Sequence, residues 1–234
     1  MKIGGFQKNS LIDYPGLISS VIFTSGCNLS CPFCHNSSLV NQKNLTELKE
    51  SEILSFLQKR KGKLDAVTIS GGEPTLQENL QEFIQNIKSM GYKVKLDTNG
   101  TNPKLLKALI NENLIDYIAM DIKSTLDYSK YNFICGSTLN KKTFNNILKS
   151  IKIIINSKVN HEFRTTAIRG IHHSYDINTI LNQIEGADKY VIQNFNPKTT
   201  LDPQWNLNKP ISQQEMLSQI TKENQNKVGI IEMR

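Results

Sequence analysis

The sequence predicts an α/β fold built as an open, partial (β/α)6 barrel. Short apolar runs typical of strands alternate with segments that carry apolar residues at helical spacing, which is the pattern of parallel βα units. Six such units occur, too few for a closed eight-stranded barrel. Polar motifs repeatedly follow the ends of these runs, where barrels of this kind place their functional residues.

The predicted strands are 20–24, 66–69, 92–96, 115–120, 162–167 and 190–193, with an edge strand at 228–231. The predicted helices carry apolar faces over 53–57, 76–87, 105–109, 144–155, 177–184 and 212–221. Ser51 is the expected N-cap of the first helix, Pro74 opens the second, and Asn102 caps the third ahead of Pro103. The stretch between 121 and 143 is expected to be irregular.

Composition indicates an ordinary globular protein. The chain has 234 residues, a formal charge of +7 and 38% hydrophobic residues. Its basic residues are scattered and are almost all lysines, so nucleic-acid binding is the less favoured interpretation of the charge. No apolar run approaches the ~20 residues that cross a bilayer, and the N-terminus lacks a signal-peptide core. We expect one cytoplasmic domain over residues 1–234, with no membrane partner.

Three of the four cysteines lie close together, as Cys27, Cys31 and Cys34. A C-x3-C-x2-C spacing on one loop lets three thiolates converge on an inorganic centre, and thiolates select zinc, copper(I) or iron–sulfur. A closed iron–sulfur cubane takes four cysteines, so three leave one iron without a protein ligand. Such an open position is typical of a reactive centre rather than a structural one.

Two other interpretations of the cysteines are weaker. A zinc site completed by His35 would need the adjacent residues 34 and 35 to bind one ion, which is awkward geometry. A disulfide framework is less favoured still, because the chain has the features of a protein from a reducing compartment.

With Phe33 before the last cysteine, the C-x3-C-x-aromatic-C pattern resembles the signature of the radical S-adenosylmethionine (SAM) enzymes. The flanking segments 4–7 (GGFQ), 10–16 (SLIDYPG) and 35–36 (HN) are similar to those of the activating proteins of anaerobic ribonucleoside-triphosphate reductase. The pyruvate formate-lyase activating enzyme belongs to the same group. The resemblance extends over the whole chain and implies a partial (β/α)6 TIM-like barrel of the radical SAM type.

The resemblance also implies an activity. Cys27, Cys31 and Cys34 would hold a [4Fe-4S] cluster whose open iron binds SAM. Reductive cleavage of SAM would then give a 5′-deoxyadenosyl radical that takes hydrogen from a glycine of a partner, most directly the anaerobic reductase. Reduced flavodoxin or ferredoxin would supply the electron. Phe33, His35 and Asn36, beside the cysteines, are expected to contribute to cofactor binding.

Polar motifs after the second and third strands extend the predicted site. Gly71 and Gly72 would let a ligand approach the backbone closely, and Glu73 could pair with an ammonium group. In the family this stretch holds the amino group of SAM. Asp97 and Thr98 match residues that help to bind a monovalent cation in the pyruvate formate-lyase activator, so the resemblance implies that cation here.

Two further positions come from the fourth and fifth strands. Asp121 and Lys123 lie on one side of an extended chain because side chains alternate with period two. The family places this pair against SAM. Arg164 carries a guanidinium group suited to a carboxylate. Past the sixth strand, 193–197 has no histidine where the pyruvate formate-lyase activator places one near the ribose.

Three remaining features have weaker signals. Asp13 aligns with an aspartate that contacts the partner peptide in a relative, although a simple turn is the alternative. Cys135 stands alone in sequence and is expected to be a small buried hydrophobe. The pair His172-His173 is expected on a solvated loop rather than at a metal.

Other classes of function remain open. A radical SAM enzyme could act on a small molecule, such as a precursor of a modified nucleobase. A nucleic-acid-modifying protein would bind in a salt-sensitive way. A structural zinc protein would be colourless when purified without oxygen.

Overall fold

Eight strands form one continuous sheet in the computed structural model, which describes residues 1–41, 47–218 and 220–234. The strands are β1 (Ile3–Ser10), β2 (Ser19–Thr24), β3 (Ala66–Gly71), β4 (Lys93–Thr98), β5 (Tyr117–Asp121), β6 (Asn160–Ala167), β7 (Lys189–Asn194) and β8 (Ile230–Met233). They lie side by side in chain order. The pair β1–β2 is antiparallel and every later neighbour is parallel. Because β1 and β8 are the two edges, the barrel is partial.

Nine helices accompany the sheet in the described part of the chain. They are α1 (Ser37–Asn41), α2 (Glu50–Arg60), α3 (Leu80–Ser89), α4 (Pro103–Asn111), α5 (Tyr128–Ile134), α6 (Lys141–Ile155), α7 (Ser174–Gln183), α8 (Gln213–Ser218) and α9 (Lys222–Gln225). Short 3₁₀ turns occur at Pro74–Leu76 and Pro203–Leu207. None of the described helices is both long and apolar enough to span a membrane.

The six predicted strands are confirmed as β2 to β7, and the predicted edge strand is β8, shifted by two residues. Strand β1 was not predicted. Its sequence IGGFQKNS contains two glycines and a polar half, and three of its residues, 7 to 9, are exposed. Pairing with β2, rather than any pattern of its own, therefore makes this segment a strand.

Two predicted helix starts are wrong and one is confirmed. Helix α2 begins at Glu50 after Lys49, so Ser51 lies inside it. Pro74 opens only a 3₁₀ turn, because Gln77 is extended and α3 begins at Leu80. Asn102 caps α4 as predicted, and its side chain accepts a hydrogen bond of 3.2 Å from the Leu105 N–H.

Two further predictions concern less regular segments. The expected irregular stretch contains α5, whose N-cap Asp127 accepts a hydrogen bond of 2.9 Å from the Lys130 N–H. The helix predicted over 212–221 is shorter, since α8 ends at Ser218, and residue 219 of that prediction lies outside the described residues.

The two faces of the parallel sheet differ in chemistry. On the helix-facing side, α3 buries Leu80, Phe83, Ile84 and Ile87 at the predicted spacing. The other face carries buried charge, because alternation along β4 places Lys95 and Asp97 opposite Val94 and Leu96. At the starts of β3 and β5, Tyr14 packs with Ala66 and Tyr117 in a second small cluster. The barrel interior therefore holds a polar layer above this cluster.

Candidate active site

A cavity of about 240 Å³ lies at the carboxyl ends of the parallel strands. Thirteen of the fourteen residues predicted to bind the cluster or cofactor line it, namely Cys27, Cys31, Phe33, Cys34, His35, Asn36, Gly71, Gly72, Asp97, Thr98, Asp121, Lys123 and Arg164. Carboxyl ends of parallel strands meet at one rim, so motifs far apart in sequence converge there.

The three cysteine thiols are largely buried, and their pKa values are raised. Burial raises the pKa of Cys27 to about 12 and also raises that of Cys34. The neighbouring Cys135 thiol, together with burial, raises the pKa of Cys31 well above its ordinary value. The thiols therefore carry protons until a metal displaces them, which makes metal binding pH-dependent.

The nearby ammonium group of Lys123 favours the deprotonated, thiolate form of the three cysteines. Its charge lowers the pKa of Cys27, Cys31 and Cys34, against the effect of burial. The same ammonium lies 5.9 Å from the centre of the Phe33 ring, within cation–π range. Lys123 is thus placed to stabilise negative charge that develops on the cysteine sulfurs.

The donor set fits a cluster better than a single ion. In the ranges that the structure describes, no three Cys, His, Asp or Glu side chains are arranged to hold one metal ion. Three thiols around a shared cavity suit a four-iron cluster, which spreads its thiolate ligands further apart than one ion does. The ring of His35 is engaged elsewhere, since its Nε2 accepts a hydrogen bond of 3.3 Å from the Asn196 N–H.

Gly71 and Gly72 bring two loops of the site into backbone contact. A Cβ on Gly72 would lie 2.0 Å from the Gly26 carbonyl oxygen, and one on Gly71 would lie 2.4 Å from backbone atoms of Thr24. The Asn36 side chain donates a 2.9 Å hydrogen bond to the Gly71 carbonyl. The glycines therefore allow the approach of the cysteine loop itself, in addition to lining the cavity.

Glu73 is placed differently from the prediction. It is fully buried, is absent from the cavity wall, and caps the 3₁₀ turn. Its carboxylate accepts hydrogen bonds from the N–H and hydroxyl of Thr75, the hydroxyl of Thr98 and the N–H of Asn99. Glu73 therefore joins the loop after β3 to the loop after β4 rather than presenting its charge to a ligand.

Five charged side chains form a network across the strands. Arg164 on β6 donates from Nε to Asp121 at 2.8 Å and from Nη1 to Asp97 at 3.2 Å. Lys95 bonds Asp97 at 2.5 Å, and Lys123 bonds Asp121 at 2.8 Å. Each carboxylate therefore has two cationic partners.

The network determines the charge state of its two aspartates. Burial raises the pKa of Asp97 and Asp121, but the charge of Arg164 with that of Lys95 or Lys123 outweighs it. Both pKa values lie below their ordinary range, so both groups are ionised at neutral pH. A monovalent cation bound at Asp97 would lie beside the positive charges of Lys95 and Arg164 and would be repelled by them. The structure therefore does not favour the predicted cation.

A model of the Radical SAM superfamily matches residues 21–181. The chain belongs to the radical SAM superfamily. Members of this family use a [4Fe-4S] cluster and SAM, and the donor set described above fits the cluster. The match begins in β2 and ends in α7, and therefore includes the three cysteines and every strand that carries the charge network.

Several relatives of this radical SAM enzyme have more specific names. A Methanocaldococcus jannaschii protein, provisionally named a glycyl-radical enzyme activating enzyme, is 37% identical over 87% of this chain and 83% of its own. The pyruvate formate-lyase-activating enzyme of Clostridium pasteurianum is 32% identical over 65% of this chain and 64% of its own. The 7-carboxy-7-deazaguanine synthase of Clostridium acetobutylicum is 30% identical over 80% of this chain and 79% of its own.

Solved structures confirm the fold. A radical SAM methyltransferase from Sphaerobacter thermophilus superposes with a TM-score of 0.68, at 13% identity, over 94% of this chain and 67% of its own. At that identity the likeness concerns the fold alone. It confirms the predicted partial barrel of the radical SAM type.

Several cavity residues were not predicted: Leu29, Val40, Ser70, Asn99, Thr166 and Gln193. For two of these residues, Asn99 and Thr166, the sequence contained a pattern that could have predicted them. Asn99 follows Thr98 in the same polar motif, and its side-chain amide lies 3.8 Å from the Cys27 sulfur. Thr166 is two residues beyond Arg164 and so shares its strand face. No sequence pattern predicted Val40, because it lies in the short helix α1 after the cysteine loop.

The histidine pair has a structural role that the sequence did not indicate. His172 is buried, and its Nδ1 accepts a 3.2 Å hydrogen bond from the Ile168 N–H. Its Nε2 donates to the Lys123 carbonyl at 3.0 Å, so the predicted solvated loop is wrong for His172. His173 is exposed as predicted. The Lys123 N–H donates a 3.2 Å hydrogen bond to the Tyr131 hydroxyl. The N–H and the carbonyl of Lys123 are therefore both held, by Tyr131 and His172 respectively.

Asp13 and Cys135 lie outside the cavity wall but close to it. The Asp13 carbonyl accepts a 3.4 Å hydrogen bond from the Thr68 hydroxyl, two residues before Ser70 on the same strand. Its carboxylate accepts from the Ser10 hydroxyl. Cys135 is fully buried, as predicted, and the residue after it, Gly136, approaches the Ser30 carbonyl of the cysteine loop.

Proposed function

We propose that this radical SAM enzyme activates a glycyl-radical enzyme, and that its partner is anaerobic ribonucleoside-triphosphate reductase. The observation that carries the proposal is the 37% identity to the M. jannaschii activase homologue over 87% of the chain. The segments 10–16 and 35–36, which are similar to those of the reductase activators, support the choice of partner.

The chain's own residues divide the work of the site. Cys27, Cys31 and Cys34 are the proposed cluster ligands, because all three thiols line one cavity. When bound, the cluster and SAM supply the radical chemistry. Lys123 and Arg164 offer cationic groups suited to the carboxylate of SAM, while Asp121 offers the opposite charge for its amino group.

The remaining cavity residues are proposed to shape the cofactor site. Gly71 and Gly72 allow the cysteine loop to lie against the loop after β3. Phe33, His35 and Asn36 form the wall beside the cysteines, and Asp97 with Thr98 forms the wall at β4. Glu73 acts as a positioning residue, since it holds Thr98 and the Asn99 backbone.

An open barrel suits a glycine that belongs to a large partner. The edges β1 and β8 are not joined, so a peptide loop could enter where a closed barrel would exclude it. The proposed contact of Asp13 with the partner peptide rests on its alignment with an aspartate that makes this contact in a relative. In the structure Asp13 follows β1, and its carbonyl accepts a hydrogen bond from Thr68 on β3. The continuous sheet supports a single domain over 1–234. A cytoplasmic site of action, and reduced flavodoxin or ferredoxin as electron donor, belong to the same proposal and are implied by the family resemblance.

The test uses the reconstituted enzyme, SAM, a reductant and the anaerobic reductase under strict exclusion of oxygen. A glycyl radical should appear on the reductase by EPR, and a reductase variant with the target glycine changed to alanine should give none. Cleavage of SAM without any glycyl radical on the reductase would reject this partner.

A second candidate is supported by the C. acetobutylicum homologue, a 7-carboxy-7-deazaguanine synthase with 30% identity over 80% of the chain. In that case the radical SAM enzyme would act on a small heterocycle. Incubation with SAM and candidate heterocycles would then accelerate SAM cleavage without any protein partner. Acceleration by the reductase alone would favour the first candidate.

A further inference from the structure

The side chain of Asn99 reaches the first sulfur of the cysteine loop. Asn99 follows β4 and is only 6% exposed, and its side-chain Nδ2 donates a hydrogen bond of 3.8 Å to the Cys27 sulfur. The Leu29 N–H donates to the same sulfur at 3.4 Å. Cys27 therefore has one backbone donor and one side-chain donor, and only the side-chain donor can be removed by substitution.

The orientation of the Asn99 carboxamide follows from its other hydrogen bonds. Its Oδ1 accepts from the Thr101 N–H at 3.0 Å and from the Thr101 hydroxyl at 2.7 Å. Because a backbone N–H can only donate, the atom that faces it is the oxygen. The NH2 group on the other side has two donors, which match the Cys27 sulfur and the Asn28 side-chain oxygen at 3.0 Å. A hydrogen-bond donor is therefore aimed at the sulfur.

The loop that carries this donor is held from two sides. The Asn99 N–H donates to the buried Glu73 carboxylate at 2.6 Å. Asn28, the residue after Cys27, donates from its side chain to the Thr101 hydroxyl at 2.9 Å. The loop after β4 and the cysteine loop are thus joined beside the sulfur, and the donor is in place before a cluster binds.

A donor at a ligand sulfur has a defined effect on a cluster. Hydrogen bonds to the sulfurs help to set the reduction potential of iron–sulfur centres. A donor favours the reduced state, because that state places more negative charge on the sulfurs. Loss of a donor should therefore lower the potential. Water admitted by a shortened side chain also stabilises negative charge, so it would act in the opposite direction.

We propose that Asn99 is a positioning residue that acts through the Cys27 sulfur, and that its N–H···S hydrogen bond raises the reduction potential of the cluster. The proposal rests on the proposed function only in its assignment of Cys27 as a cluster ligand. The alternative role of Asn99 is to stabilise the turn to Thr101 through its oxygen alone. The two roles differ in what they predict for the potential.

The experiment is an anaerobic potentiometric titration of the reconstituted enzyme, with the reduced cluster followed by EPR. SAM is omitted, because Asn99 lines the cavity and a direct contact with SAM would complicate the result. Asn99→Ser removes the donor but keeps a hydroxyl that can accept from the Thr101 N–H, and Asn99→Ala removes both groups. Thr101→Val is the matched control, because it removes one hydrogen bond to the Asn99 oxygen and leaves the donor to Cys27. Iron content and urea unfolding are measured for each protein.

At a fixed applied potential, Asn99→Ser and Asn99→Ala should each lower the ratio of reduced to oxidised cluster about two- to tenfold, the range for one net hydrogen bond. A tenfold change corresponds to about 59 mV for one electron. The two shifts should agree, because both variants lack the donor, although the alanine variant should unfold at lower urea. Thr101→Val should keep the wild-type ratio, and Asn99→Ser should bind as much iron as wild type.

Several results would overturn the proposal. They are an unchanged or raised ratio in Asn99→Ser, an equal shift in Thr101→Val, or iron loss in the serine variant. A wild-type protein that titrates normally but forms no glycyl radical on the reductase would reject the proposed partner and leave the role of Asn99 standing. The two failures are therefore distinguishable.

Discussion

Removal of Arg164 should destabilise the protein more than the loss of an exposed ion pair would. Its guanidinium group bridges two carboxylates, at 2.8 Å to Asp121 and 3.2 Å to Asp97, and its side chain is only 13% exposed. Arg164→Met keeps much of the side-chain length but deletes both contacts. The two aspartates then keep only Lys95 and Lys123 as cationic partners.

The expected magnitude follows from these contacts. Two hydrogen bonds to charged groups contribute about 1.5–3 kcal/mol each, so their loss could cost about 3–6 kcal/mol. Because a lysine still neutralises each carboxylate, the cost should fall at the lower end, about 3 kcal/mol at pH 7.

The effect should depend on pH in a defined direction. Burial raises the pKa of both aspartates, but the charge of Arg164 outweighs it, and both folded-state values lie below the unfolded value of about 3.9. Their stabilisation is therefore present above pH 4 and is lost as the pH falls through the folded-state pKa. The difference between wild type and Arg164→Met should shrink below pH 4.

The assay is urea unfolding of the cluster-free protein under reducing conditions at pH 7 and pH 3.5. Arg169→Met is the matched control, since Arg169 forms a bidentate pair with Glu215 at 2.6 and 2.9 Å but is 47% exposed. Its loss should cost about 0–1 kcal/mol. Equal destabilisation in the two variants, or a cost for Arg164→Met that grows at acid pH, would refute the argument.

Three other substitutions test separate parts of the site. Gly72→Ala should cost about 3 kcal/mol or more and prevent iron incorporation, because the added Cβ meets the Gly26 carbonyl. Gly91→Ala, where φ is +92° and the space is open, should cost only about 1–2 kcal/mol; comparable losses by urea unfolding would contradict the steric account. Glu73→Gln should lower stability by about 2–4 kcal/mol even without SAM, since an amide cannot accept all the hydrogen bonds from Thr75, Thr98 and Asn99. A variant of normal stability that only binds SAM weakly would instead favour the predicted contact of Glu73 with SAM. Asp13→Ala should leave uncoupled SAM cleavage near normal and depress the glycyl-radical yield on the reductase, and a parallel fall in both rates would make Asp13 a turn residue.

Much of the fold could be predicted because the parallel strands have strong local signals. The runs 66–69 and 115–120 are apolar and bounded by turn residues, so both strands were located within two residues of their observed starts. Strand β1 could not be found in this way, since its register with β2 depends on pairing between distant residues. Helix α5 was missed for a related reason, because its seven residues give too short a pattern to show helical periodicity.

The cavity wall was largely predictable because its motifs follow strand ends, but the partners of those residues were not. Sequence spacing placed Asp121 and Lys123 on one side, yet nothing in it showed that Lys95 and Arg164 also meet Asp97. Glu73 was expected to contact a ligand, and only the structure shows its carboxylate enclosed by hydroxyl and amide donors. The approach of Gly136 to the Ser30 carbonyl likewise joins residues far apart in sequence.

The most direct test of the account is the iron and sulfide content of the anaerobically reconstituted protein, measured with SAM cleavage in the same samples. Wild type and Cys135→Ala should each hold about four irons per chain and form 5′-deoxyadenosine and methionine under reducing conditions. Cys27→Ala, Cys31→Ala and Cys34→Ala should each abolish cleavage. Full cleavage by any of these three variants would contradict the assignment of the cysteine loop as the site of the cluster.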